Sequence, residues 1–541
     1  MPSVSDFLIE RLENAKVGHV FGLPGDYVLN FYNKLSKSKD INLINTTDES
    51  HAGFAADAYS RIKGIGCVCV TYSVGGLKVV NATACAFAEK SPLIVICGSP
   101  GVKERESGVL LHHMVRSFES QKEVFDNITC ASVVLDNPAT AGYEIDRVFE
   151  ALHYYKQPIY IELPRDIADK PIGYDVKLGT PKSPESDVQN LNESLEEVVD
   201  WIEGAENPVI LAGVELARFG LGKELVRFAE KTNIPIASTL LSKSVISETH
   251  PLFLGVYAGN TSEQLVKESV ENSDCLLMFG AMLTDMTLGF MPSKFKKRRT
   301  VSCSIDSLKV KNHVYTDVVF EDFVCGLFKS EITKKPNPDV PKIKVKKYKS
   351  VKNNALTSTR IFEKIGSILD ENMAIVCDIG NSLFGAIDLR VHHSNQFLSP
   401  AFYTSMGFAI PGILGLGMAA PNYRAIAILG DGAFQMSCTE LSTCIDNDLN
   451  PIIIVLNNGG YTTERFLLDG PFNDIRNWEY HKITEMLNGG DGVKIETEGD
   501  LDKAFEQALA SKELFIINAI VDPKDISPAL ERMAKGLSKR V

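Results

Sequence analysis

Short β-branched apolar runs alternate with segments of helical apolar spacing along the whole chain. This pattern predicts an α/β protein built of doubly wound parallel-sheet domains, their sheets covered by helices. In the first third the predicted strands are 19–22, 41–45, 67–71, 93–97, 131–135 and 159–163. A second set lies at 209–212, 234–238, 275–279 and 300–305, and a third at 374–377, 425–429, 452–456 and 515–521. Two polar stretches rich in Pro and Lys, from Arg165 to about Ser194 and from Lys334 to Lys352, read as linkers. Three domains follow, at 1–175, 190–335 and 353–541, because 541 residues exceed what one hydrophobic core serves. Near the N-terminus, Ser3-x-x-Asp6 reads as a helix cap ahead of an amphipathic helix.

Composition narrows the partners. Lys+Arg 56 against Asp+Glu 69 leaves a net charge of −13, and no basic stripe of the kind that grips nucleic acid is present. The local basic run at 294–299 reads as a solvated loop, with a phosphate patch as the alternative. Eleven cysteines occur without a CxxC pair. Cys67 and Cys69 share one face of a strand, but no second pair or nearby His completes a metal set. Buried free thiols in a reducing compartment fit better than disulfides or zinc. The N-terminus lacks an apolar signal core, and the longest apolar stretch, 406–421, falls short of the roughly 20 residues of a membrane span. The expectation is a cytoplasmic protein with no nucleic-acid or membrane partner.

The chemistry gathers at strand ends. The strand 425–429 stops at Gly430-Asp431-Gly432, and a helical pattern through Met436, Leu441 and Ile445 follows. Small residues let the backbone approach a ligand, and a helix N-terminus offers N–H groups to an anion. Asp431 would repel a phosphate unless a metal ion bridged the two. Taken alone, this segment is also what a strand-ending turn looks like. The next strand ends in Asn457-Asn458-Gly459-Gly460. A carboxylate oxygen of Asp431, the amide oxygen of Asn458 and the carbonyl of Gly460 make three hard ligands. Two phosphate oxygens and a water would complete an octahedron suited to Mg2+. In the first third, Leu23-Pro24-Gly25-Asp26-Tyr27 sets Asp26 at a turn tip, Glu49 opens a helix, and His112-His113 follow an apolar pair. Singly, each of these is as well explained by a surface carboxylate or a solvent-facing histidine.

Together they carry a resemblance. GDG and NN, with Asp431 and Asn458 separated by 27 positions, resemble the binding signature of thiamine-diphosphate enzymes. LPGDY, the Glu49 helix with AADAYSR, TYSVGG at Thr71–Gly76, LLHH and GYTTE match, in collinear order, the pyruvate decarboxylases and related indolepyruvate, phenylpyruvate and branched-chain 2-oxo acid decarboxylases. The His112-His113 pair sets these apart from acetolactate synthases and benzoylformate decarboxylases.

The resemblance implies non-oxidative decarboxylation of a 2-oxo acid to an aldehyde and CO2 through a thiamine-bound enamine, with thiamine diphosphate and Mg2+ as cofactors. It implies that Glu49 hydrogen-bonds the aminopyrimidine and that Met406 is the bulky residue that bends the cofactor, although Met406 also suits an ordinary core. Thr71, Ile379, Gly380, Asn381, Gly432 and Ala433 join Asp431, Asn458 and Gly460 in holding it. Asp26, His112, His113 and Glu464 are the proton-handling set, and burial beside the substrate carboxylate is expected to raise the pKa of Glu464. Met286, Leu383, Thr463 and Leu467 are the implied pocket, and Leu383 and Thr463 suggest room for aliphatic or aromatic 2-oxo acids longer than pyruvate. A homodimer or homotetramer sharing its sites between subunits is also implied.

Several positions depart from the family pattern. Ala433 stands where many relatives have serine, Cys377–Ser382 replaces a Glu-Thr-Gly type segment, and Glu215-Leu216 stand where yeast-type enzymes have cysteines. The rival readings are a thiamine-dependent carboligase of the acetolactate synthase kind and a catalytically silent cofactor-binding scaffold. The presence of Glu49 and Glu464 argues against the scaffold. A nicotinamide dehydrogenase would need a GxGxxG turn, and none opens either end domain.

Overall fold

A computed structural model describes residues 2–173, 184–290, 297–340 and 348–537. Parts of both predicted linkers and of the basic run at 294–299 lie outside the described residues. The chain forms two compact units. One comprises Met1–Ser183 with Gly407–Tyr423 and Met436–Leu449, and the other Pro184–Met406 with Arg424–Gln435 and Asn450–Val541.

The first unit holds a parallel sheet of β1 (His19–Gly22), β2 (Asn42–Asn45), β3 (Gly66–Val70), β4 (Leu93–Ser99), β5 (Ala131–Val134) and β6 (Ile159–Pro164). Their order is β2-β1-β3-β4-β6-β5. β3, β4 and β6 are buried along their full length, as strands covered on both faces must be. The chain leaves β1 toward β2 on one side and returns to β3 on the other. The carboxyl ends of β1 and β3 therefore flank a topological switch point, where open α/β sheets bind ligands. The first helix, Val4–Asn14, begins with the expected capping box between Ser3 and Asp6. The helix Glu49–Lys63 packs closely on Ala409–Ala419, an almost wholly buried helix from the last third of the sequence.

The second unit contains two sheets. One is made of β7 (Pro208–Ala212), β8 (Ile236–Thr239), β9 (Phe253–Tyr257), β10 (Cys275–Phe279), β11 (Thr300–Ser304), β12 (Ser307–Val310) and β13 (His313–Tyr315), ordered β13-β12-β11-β10-β7-β8-β9. Its β11-β12-β13 edge is antiparallel, and the rest is parallel. The other sheet is made of β14 (Met373–Cys377), β15 (Phe397–Leu398), β16 (Arg424–Gly430), β17 (Ile452–Asn457), β18 (Asp491–Ile495) and β19 (Phe515–Ile520). It is parallel, with the order β15-β14-β16-β17-β19-β18, and its switch point lies between β14 and β16. One apolar cluster includes side chains from both sheets. All the cysteines are free thiols, half-buried at Cys130 and Cys325 and buried elsewhere. Among the described residues, no helix is long and apolar enough to cross a membrane.

The linker reading of Arg165 to Ser194 needs correction at both ends. Asp166 accepts the N–H of Val102 at 2.9 Å, so the start of this segment is folded structure, and the helix Val188–Gly204 takes up its end. Pro, Asp and Lys in a sequence do not exclude such contacts.

Candidate active site

In the first unit, the candidate residues stand on loops at the carboxyl ends of the strands. The turn after β1 carries Asp26, and the loop after β3 begins at Thr71. A Cβ on Gly25 would lie 2.4 Å from the Thr71 Cβ, so only glycine allows these two loops to meet. The Thr71 Oγ1 atom is buried and has no hydrogen-bond partner among the described residues. Glu49 is the first residue of its helix, which Asp48 caps by accepting the Ser50 N–H at 2.8 Å. The Glu49 carboxylate pairs with Lys78 Nζ at 2.8 Å and is 13% exposed.

His112 and His113 lie beyond β4, with ring centroids 4.6 Å apart. His112 Nε2 is 2.9 Å from Asp26 Oδ2, and its ring stacks on Tyr27 at 4.7 Å. Arg165, immediately after β6, lies over the Tyr27 ring at 4.9 Å, approaches Asp26 at 3.6 Å and forks onto Glu104. Burial, reinforced by the Asp26 charge, pushes the Tyr27 phenol up. Asp26, Glu49, Thr71, His112 and His113 thus belong to the same strand-end face of one unit. Tyr27, Lys78 and Arg165 join them without having been singled out from sequence. The signal for Arg165 was its place directly after a strand.

In the second unit the corresponding face is built at β14, β16 and β17. Asp431 is fully buried at the end of β16 and accepts the N–H groups of Gly432 at 2.8 Å and Gly459 at 2.7 Å. Burial raises its pKa to about 6, against the pull of those N–H groups. The Asn458 amide nitrogen donates to Thr462 Oγ1, which orients its amide oxygen toward the Gly460 N–H, 3.2 Å away. Gly460 has φ +155, and a Cβ there would fall 2.0 Å from the Asn473 carbonyl. A buried carboxylate with its charge unfavoured, an oriented amide oxygen and a glycine turn make a donor set that fits Mg2+. Gly432 and Ala433 are buried in the turn that opens the next helix, which suits a diphosphate held by backbone.

Other predicted residues are distributed less simply. Ile379 and Gly380 follow β14 and are half-buried, with Thr463 Oγ1 3.1 Å from where a Gly380 Cβ would stand. The Asn381 amide is committed within the protein, donating to Ser358 Oγ and accepting the Ser527 N–H, both at 2.8 Å. Its side chain acts here as an internal brace. Met406 is half-buried in the turn before Ala409–Ala419. Glu464 is exposed on the helix Thr462–Leu467, in contrast to the burial expected for it. Met286 and Leu383 are buried in the apolar cluster, whereas Leu467 is 67% exposed and does not join them.

Three family descriptions match in order along the chain. They are the thiamine pyrophosphate enzyme N-terminal TPP binding domain at residues 2–124, the central domain at 195–321 and the C-terminal TPP binding domain at 378–519. The chain is 30% identical to an indole-3-pyruvate decarboxylase of Azospirillum brasilense, over 98% of either protein. It is 30% identical to a probable pyruvate decarboxylase of Schizosaccharomyces pombe, over 99% of this chain and 96% of the other. With an alpha-keto-acid decarboxylase of Mycobacterium avium it shares 29% identity, over 98% and 95%.

Proposed function

The chain belongs to the thiamine-diphosphate-dependent 2-oxo acid decarboxylases, and from that membership we propose a residue-level account of how it releases CO2 and an aldehyde. The observation that carries this account is the Asp26–His112 pair, 2.9 Å apart, on the same strand-end face as Glu49 and Thr71. A carboligase needs no such proton-handling pair, whereas releasing an aldehyde requires a proton to be delivered to carbon.

Asp431, Asn458 and the Gly460 carbonyl would hold Mg2+, and the backbone at Ile379, Gly380, Gly432 and Ala433 would hold the diphosphate. Glu49 would hydrogen-bond the aminopyrimidine with Thr71 beside it, and Met406 of a neighbouring subunit would complete the cofactor's seat. Asn381 supports that seat through its brace to Ser358 and Ser527. The bound cofactor supplies the electron sink for the pair left behind as CO2 departs. Asp26, His112, His113 and Glu464 hold and deliver the proton that completes the aldehyde. Lys78, 2.8 Å from the Glu49 carboxylate, holds that side chain in place.

The substrate class is 2-oxo acids including ones longer than pyruvate. Leu383 is locked in the core, so discrimination by size falls to Thr463 beside Gly380, and its small side chain leaves room. Domains at 1–175, 190–335 and 353–541, a cytoplasmic location, and a homodimeric or homotetrameric assembly with its sites at the subunit interface, where the first domain of one subunit faces the last domain of its neighbour, complete the proposal.

The deciding experiment incubates the full-length protein with thiamine diphosphate, Mg2+ and a panel of 2-oxo acids, following CO2 and aldehyde. Aldehyde in step with CO2 is expected. A coupled hydroxyketone as the main product would favour the carboligase, and no product from any acid would defeat the reading.

A further inference from the structure

Successive side chains of an extended segment point to opposite sides. His112 and His113 do not, because His113 sits at φ +69, the left-handed region that side-chain-bearing residues adopt only in a few per cent of cases. The result is that one ligand atom each of Asp26, His112 and His113 lies within 4.8 Å of the others. The Asp26 and His112 side chains are 43% and 56% exposed, so a hydrated ion can reach them.

The surroundings orient His112 and Asp26. His112 Nδ1 is 3.3 Å from the Tyr27 hydroxyl, which is also 3.4 Å from the His112 carbonyl. With Nδ1–H donating to the phenol oxygen and the hydroxyl donating to the carbonyl, Nε2 faces Asp26 Oδ2 at 2.9 Å, where a proton or a metal ion has to bridge the two. Arg165 flanks Asp26 Oδ2 at 3.6 Å while Glu104 balances its charge. A histidine whose other ring nitrogen is committed, beside a carboxylate with its own polar partner, is the outer-shell arrangement that metal ligands show.

We propose that Asp26, His112 and His113 bind a divalent transition-metal ion of the zinc class, and that its binding stops turnover. Two imidazoles and one carboxylate suit Zn2+, whereas Mg2+ takes oxygen ligands. Metal–ligand bonds of about 2.0–2.2 Å set ligand atoms roughly 3.2–3.6 Å apart around a tetrahedron. Side-chain rotations within the cluster, whose ligand atoms already lie within 4.8 Å of one another, would close it to that size and leave a fourth position for water. The inhibitory half of the proposal rests on the proton-handling role assigned above, because the metal occupies those same lone pairs. The binding half does not.

Co2+ serves as the probe, added to full-length protein already loaded with thiamine diphosphate and excess Mg2+. One Co2+ per chain with a strong visible ligand-field band, displaced by equimolar Zn2+, is expected. His113→Asn, which tolerates the same backbone conformation, should abolish the band, and Tyr27→Phe should weaken Co2+ binding by about 10–100-fold. An oxygen-ligated octahedral ion at Asp431 would absorb only weakly and would ignore both substitutions. No strong band, or one unchanged in His113→Asn, overturns the site. Zn2+ bound through His113 without loss of turnover overturns the inhibitory half and the proton-handling role together. If no 2-oxo acid is turned over at all, the Co2+ band still decides the binding half.

Discussion

The Gly459 N–H donates to Asp431 Oδ2 over 2.7 Å, so the loop after β17 holds the carboxylate that ends β16. That contact sets the position of a buried charge whose pKa burial has already raised to about 6. A divalent cation would bring it back fully to the ionised form. Asp431→Asn keeps the shape but removes the charge. Cofactor affinity measured by calorimetry with Mg2+ present is expected to fall by more than about 100-fold, since even outer-shell partners are worth about 10–100-fold. Chelating the Mg2+ should have the same effect on the unaltered protein. Unchanged affinity in Asp431→Asn would remove the metal from this site.

Glu464 lies four residues beyond Gly460, on the short helix Thr462–Leu467, and is exposed. Its proposed work is proton delivery. Glu464→Gln is expected to lower turnover by about 10²–10⁴-fold, with cofactor affinity within about two-fold of normal. Turnover close to normal would take Glu464 out of the proton-handling set.

The fold was legible in most strands buried on both faces, because these read as unbroken apolar runs; β9 is buried throughout, but Gly255 interrupts its run. β1, β3, β16 and β17 fall within one residue of the expected bounds, and Asp26, Thr71, Asp431 and Asn458 stand beyond their carboxyl ends. β9, β15, β18 and the antiparallel β12-β13 edge were not legible. β15 is two residues long, and β18 is largely solvated, so neither carries an apolar signature. Sequence order also hides that Ala409–Ala419 packs on Glu49–Lys63, since both helices are apolar on several faces and nothing local names the partner. Within the site, the types of Asp26, Glu49 and His112 were informative. The commitment of Asn381 to Ser358 and Ser527 was not, because an amide looks the same whether it serves a ligand or a distant backbone.

Thr463 stands over Gly380 at the strand-end face of the second unit. Thr463→Ile adds bulk where a longer side chain of the substrate would go. The ratio of kcat/KM for phenylpyruvate to that for pyruvate is expected to fall by about 10-fold or more, the usual scale for one or two methylenes. A ratio that stays constant would place size selection elsewhere.

Asp48 caps the helix that begins with Glu49 and also receives Lys78 Nζ. Burial opposes its ionisation, but hydrogen bonds from Lys78 and from the hydroxyl and N–H of Ser50 prevail and hold its pKa at about 2. The folded value lies below the ordinary 3.8, so ionised Asp48 stabilises the fold above about pH 4, and that contribution is lost as pH falls toward 2. Asp48→Ala should cost about 1 kcal/mol near neutrality, the usual worth of such a cap, and less at pH 3. Urea unfolding of both proteins at the two pH values tests this, and a gap that widens in acid would contradict it.

Lys243 and Glu248 form an ion pair of 2.6 Å in the second unit, with side chains 0% and 1% exposed. Lys243 also donates to the Leu389 carbonyl at 2.6 Å, and Glu248 accepts the Val391 N–H at 3.2 Å. The pair therefore fastens the segment around 389–391 to the sheet β7–β13. Burial pushes the Lys243 ammonium down, but its partners hold the charge in place. Removing one member leaves the other charged and dry, so Lys243→Met is expected to destabilise by about 3–5 kcal/mol. The double variant Lys243→Met with Glu248→Leu removes both charges and strands only backbone groups, at about 1–3 kcal/mol each. It should therefore be more stable than Lys243→Met alone. Unfolding midpoints of the single and double variants decide the point: a double variant less stable than the single would mean that the backbone bonds, and not the charge pairing, dominate this junction.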